Sequence, residues 1–260
     1  MNLGIPVLGA IVVGSAALYG QAAGFSSGLE TGTIDGTSAI LLSLILFGVL
    51  YYGMKRFPEK SARILVAAIT VIGTISGLIL LRTSLQASGA PPVLFLITLP
   101  LGYFGLNWSV RGYFGSLSRR RATLLILASA TLLGALIGTS LTTILSLTFL
   151  VVLTTLDVFI VESNSVPSIV GKTNYDEVIS VVTLQLDAYA VGIGDFLAYS
   201  ILSSTALRIL GLYGAIETSI LILFGAAVTF EMTKRRGKAP GLLLPVGLGL
   251  IPVILGLLRI

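Results

Sequence analysis

The chain has 260 residues, of which 55% are hydrophobic and only 10% charged, and it carries a formal net charge of +5. A soluble domain has roughly 25% charged residues, so this composition excludes one and indicates an integral membrane protein. The absence of cysteine and histidine closes the thiolate, Ser/His and HExxH zinc routes to hydrolysis and leaves carboxylates, hydroxyls and lysines for any catalysis.

A membrane span needs about 20 mostly apolar residues. Nine segments qualify in chain order: 3–22, 36–54, 64–81, 91–110, 122–141, 143–162, 188–207, 212–232 and 239–258. The predicted fold is therefore an all-α polytopic membrane protein of nine helices, a single membrane domain over 1–260. No basic residue precedes the first segment, so it reads as a retained helix and not a cleaved signal peptide. Gly73 with Gly77, and Gly134 with Gly138, have the spacing at which membrane helices approach closely. The boundary between the fifth and sixth segments is soft, because Thr139 to Thr143 carries no charge.

Thirteen of the sixteen basic residues follow even-numbered segments, and Arg82, Arg208 and Arg259 lie on the other face. By the positive-inside rule the N-terminus is cytoplasmic and the C-terminus extracytoplasmic. The positive charge reports topology and attraction to anionic lipid, and nucleic acid is not an expected partner. Asn107-Trp108-Ser109 matches a glycosylation acceptor, but falls at the cytoplasmic end of the fourth segment.

Two aspartates interrupt the apolar runs, Asp157 in the sixth segment and Asp195 in the seventh. Each costs at least about 2.5 kcal/mol at bilayer depth, which calls for a function. Asp157 lies five residues before Glu162 and Asp195 eight after Asp187. At helical rise they stand roughly 8 and 12 Å in from the cytoplasmic edge, and antiparallel neighbours would bring them together. Two such carboxylates in a poorly solvated site cannot both ionise cheaply and are expected to share one proton. One can then activate water while its protonated partner polarises a scissile carbonyl. No metal or cofactor is expected. Gly192 and Gly194 let the backbone pack tightly against the sixth segment, or let an extended substrate approach.

Leu156-Asp157-Val158-Phe159, Gly192-Ile193-Gly194-Asp195-Phe196 with Tyr199-Ser200, and Lys238-Ala239-Pro240-Gly241-Leu242 resemble, in order and spacing, the presenilin and signal peptide peptidase family of intramembrane aspartyl proteases. The likeness covers residues 143–258 most closely, so 143–260 would carry the active site and 1–142 form a scaffold. It implies that Asp157 and Asp195 are the catalytic pair, and that Pro240, Gly241 and Leu242 correspond to the Pro-Ala-Leu motif that shapes the site. Orientation and compactness look like an archaeal presenilin homologue. That implies an archaeal cell membrane, single-span membrane proteins or peptides as substrates, and no requirement for accessory subunits. Leu156 stands where the family usually has tyrosine, and Gly241 where it has alanine, changes that bear on substrate preference and local packing.

Asp187 is either a third carboxylate of the site or a solvated residue at its mouth. The β-branched run from Val178 to Thr183 is either a strand that pairs with an unwound substrate or an amphipathic surface segment. Glu217 and Glu231 read as interface residues, and Pro240 as the opening of the ninth segment, with Pro245 and Pro252 interrupting it. The alternative to a protease is a cation-coupled transporter or ion channel using the buried carboxylates, disfavoured by the lack of an internal repeat and by both aspartates sitting toward one face. A prepilin-type peptidase would place a lysine soon after the second aspartate, where Phe196-Leu197 stands.

Overall fold

The computed structural model describes residues 52–53, 55–163, 183–186 and 189–258. They form six helices and one two-stranded hairpin, and five of the helices are long and apolar enough to cross a membrane. The first predicted segment, nearly all of the second, and Asp187 lie outside the described residues.

Helix α1 (Pro58–Ala87) starts with proline in its first turn, where the amide has no helical partner to lose, and a Glu59–Arg63 pair braces that turn. Its 30 residues span about 45 Å, more than a hydrocarbon core of about 30 Å. A short 3-10 turn (Pro92–Ile97) leads into α2 (Thr98–Tyr113). Helices α3 (Arg119–Ser140) and α4 (Thr143–Ser163) meet at the soft boundary, where Leu141 turns extended (φ −79°, ψ 149°). Arg208 satisfies this break by donating to the Leu141 carbonyl and the Thr143 hydroxyl.

Both glycine pairs act as the spacing predicts. A Cβ on Gly73 would fall 2.2 Å from the Ser129 carbonyl oxygen, and one on Gly134 or Gly138 would strike the Leu197 or Ile201 carbonyl. Helix α3 thus lies in backbone contact with α1 on one side and with α5 (Ile193–Arg236) on the other. Ser200 donates to the Thr131 carbonyl at 2.6 Å across the second contact. Helix α5 contains both the seventh and eighth predicted segments. Gly211, at φ 71° and ψ −167°, breaks its helical geometry between them, a conformation open to glycine at little cost.

Helix α6 (Leu243–Leu258) completes the bundle. The main core joins Leu150 of α4, Ala198, Ile201, Leu202 and Ala206 of the first half of α5, Ile222 of its second half, and Val246 and Val253 of α6. Apolar side chains also cover the outside: Leu99, Phe159, Tyr213 and Phe224 are largely exposed, as surfaces facing lipid would be.

Three expectations are corrected. The seventh segment does not begin as a helix at 188: strands β1 (Thr183–Leu186) and β2 (Tyr189–Gly192) pair antiparallel, with Thr183 opposite Gly192 and Leu186 opposite Tyr189, and α5 starts only at Ile193. Glycines at 192 and 194 make an earlier helical start costly, at about 1 kcal/mol each. Pro240 does not open a helix either. Residues 238–242 lie outside helical structure and α6 begins at Leu243, which puts Pro245 in its first turn and leaves Pro252 as the proline inside it. Third, Gly194 is not a close-packing position, since a Cβ there would meet nothing within 4 Å.

Candidate functional site

The two aspartates reach one place from different kinds of element. Asp157 projects from the body of α4. Asp195 sits in the first turn of α5, where its Oδ2 accepts the Gly192 N–H at 3.2 Å. That bond satisfies an amide at the helix start and holds the carboxylate at the elbow between β2 and α5. Equal depth on two antiparallel helices, the sequence-based reason for their meeting, is therefore not what aligns them.

What aligns them is the turn Pro240-Gly241-Leu242. The Leu242 N–H donates to Asp157 Oδ2 at 2.8 Å. On the neighbouring residue, a Cβ added to Gly241 would lie 2.7 Å from Asp195 Oδ2 and 2.9 Å from its Oδ1. The glycine backbone is thus in direct contact with one carboxylate while the next amide binds the other.

Two further ties hold the turn. The Tyr199 hydroxyl donates to the Gly241 carbonyl at 2.9 Å, and Lys238 Nζ donates to the Val161 carbonyl at 3.0 Å near the end of α4. Four residues after Asp195, Tyr199 stands one helical turn further along α5, its ring edge-on to Phe196. Sequence reasoning quoted Tyr199 and Lys238 in the motifs but assigned neither a task. The i+4 spacing from Asp195 was the available signal for Tyr199; the partners of both emerge only when distant segments meet.

The hairpin and the start of α5 are anchored on α3, where Val191, Ile193 and Phe196 pack with Leu127 and Ala130. Gly192 has room for a Cβ, at 3.5 Å from Asp195 Oδ2, so its part is to end the strand and begin the helix. Gly194 is exposed. Among the described residues no group of three or more His, Cys, Asp or Glu side chains could hold a metal ion. Glu231 pairs with Arg235 at 3.0 Å, both exposed, as an interface residue would.

Fold and site together define a helical, membrane-embedded protein in which two aspartates from separate helices converge on a single turn. Comparison with family models and with curated proteins finds no match for the chain.

Proposed function

We propose that this protein is an intramembrane aspartyl protease, hydrolysing peptide bonds of membrane-spanning segments with Asp157 and Asp195. The observation that carries the proposal is the convergence of both carboxylates on Gly241 and Leu242. Each aspartate accepts a backbone amide on its Oδ2, Asp195 from Gly192 and Asp157 from Leu242. A water between the two carboxyl groups would lose a proton to the ionised carboxylate as its oxygen attacks the scissile carbonyl carbon, while the protonated carboxyl donates to the carbonyl oxygen. Collapse of the tetrahedral gem-diol then breaks the C–N bond: the departing amine takes the proton gained from water, one gem-diol hydroxyl gives its proton back to the other carboxylate, and the shared-proton state returns.

Cleavage needs an exposed peptide bond, and a helix in lipid keeps its backbone bonded to itself. The β1–β2 hairpin running directly into Asp195 supports strand addition as the means of holding an unwound stretch, with exposed Gly194 leaving room for its backbone. We read the whole chain as nine spans with the N-terminus cytoplasmic and the C-terminus extracytoplasmic. The break at Gly211 supports counting α5 as two spans, and segments 3–22 and 36–54 are read as the first two. The organisation and site resemble a compact presenilin-like enzyme working without accessory subunits.

The test is purified protein in liposomes with single-span reporter substrates, assayed in parallel for peptide cleavage and for cation flux. Wild type should cleave, whereas Asp157→Asn and Asp195→Asn, which keep side-chain volume but remove proton transfer, should each lose cleavage with helical content unchanged. Cleavage surviving in either variant, or flux without cleavage, would remove the protease reading.

A further inference from the structure

Beside the aspartates, an open groove of about 650 Å³ runs along one face of α4, lined by Thr154, Thr155, Val158, Phe159, Glu162 and Ser163 together with Leu243 of α6. Leu243 follows the residue whose amide binds Asp157, so the groove opens alongside the site. Its chemistry is one-sided. The Thr154, Thr155 and Ser163 hydroxyls each donate to a carbonyl one turn back in α4, so these hydroxyls have their donors met within the helix. Phe159 is 65% exposed. The one charged group lining the groove is Glu162.

Glu162 stands at the far end of the groove from Thr154. It lies in the last described turn of α4, which holds no basic residue. Lys238, the nearest cation tied to this end of α4, gives its ammonium to the Val161 carbonyl, and Glu162 forms no ion pair among the described residues. An apolar wall ending in one carboxylate that forms no ion pair among the described residues is complementary to an apolar segment ending in one cation.

Resting on the protease reading above, we propose that this groove receives the substrate, and that the substrate class is a membrane-spanning segment with a lysine or arginine at its cytoplasmic border, paired to Glu162. The positive-inside rule supplies such a residue to many single-span proteins at the face where Glu162 lies in the orientation inferred above. The spacing also places the cut. Glu162 is five residues beyond Asp157, about 7.5 Å along α4, which an extended substrate covers in about two residues. Cleavage is therefore expected about two or three residues from the basic side chain.

The test uses reporters that differ only in carrying lysine, glutamine or glutamate at the border. Full-length wild type should cleave the lysine form about fivefold faster than the glutamate form at low substrate, the upper range for an exposed ion pair. Glu162→Lys should invert that order, and Glu162→Gln should flatten it. A photoreactive benzoylphenylalanine at Phe159, in the Asp157→Asn background, reads docking without catalysis and should crosslink to the reporter in the same order of charge. An order unchanged by either Glu162 variant, or crosslinks confined to residues 164–182 of the chain itself, would overturn the proposal. Charge-dependent crosslinking without cleavage in wild type would sink the protease reading and leave the docking site standing; cleavage without charge dependence would do the reverse.

Discussion

Gly241→Ala changes this chain to the residue of the motif it resembles, and the structure predicts that it damages the site. The new Cβ would lie 2.7 Å from Asp195 Oδ2, whereas ordinary van der Waals contact begins at 3.4 Å, so about 0.7 Å must be found. The turn cannot simply retreat, because the Tyr199 hydroxyl holds the Gly241 carbonyl at 2.9 Å and Asp157 holds the next amide at 2.8 Å. The Asp195 carboxylate must therefore swing away, stretching its 3.2 Å bond to Gly192, or Asp157 must follow the displaced turn. Either movement spoils the separation of the two acids. Misplacement by about 1 Å can cost about a hundredfold in rate, so a loss of about tenfold in kcat is expected for Ala and a larger one for Gly241→Val. The assay is single-turnover cleavage of a saturating single-span reporter in liposomes, beside thermal unfolding of the same preparation. The protein should remain folded, since the contact introduced is a single local repulsion. Full activity in Gly241→Ala, or a loss matched by a fall in folded protein, would refute the argument that the backbone at 241 sets the position of Asp195.

Tyr199→Phe removes one neutral hydrogen bond and leaves the ring against Phe196. A loss of about 1 kcal/mol in anchoring the turn should lower kcat about fivefold with little change in KM, and an equal rise in KM would mean that the hydroxyl binds substrate instead. Arg208→Met strands the Leu141 carbonyl at the α3–α4 break and should lower unfolding stability by about 2 kcal/mol; an unchanged midpoint would show that the break is held by other contacts. Cysteines placed singly at exposed Ser116 and Ser88 have no native thiol to compete with them. Position 116 should react only from the cytoplasmic side and 88 only from the opposite side, and the reverse pattern would invert the orientation and with it the end of the membrane at which Glu162 lies.

Composition by itself determined the class of protein, because a chain so poor in charge cannot be solvated as a soluble domain and must put its apolar faces against lipid. The positions of α1 to α4 followed from the length of the apolar runs, whereas the starts of α5 and α6 did not, and the glycine pairs on α1 and α3 marked real close contacts, since small-residue spacing and backbone approach are the same geometric fact. The candidate aspartates were legible for an energetic reason: a carboxylate inside an apolar run is costly wherever the chain folds. What brings those aspartates together was not legible. Helical rise alone put them at similar depth on two antiparallel helices, but the residues before Asp195 form a hairpin, and the carboxylates are aligned by a turn more than 40 residues further on. Local pattern cannot foresee a bond such as Leu242 to Asp157 or Tyr199 to Gly241, because the backbone groups involved are identical in every residue, and only tertiary packing decides which of them meet. The same holds for Gly241. In the sequence it is a missing methyl group in a resembled motif, and in the folded chain it is the space that the Asp195 carboxylate occupies.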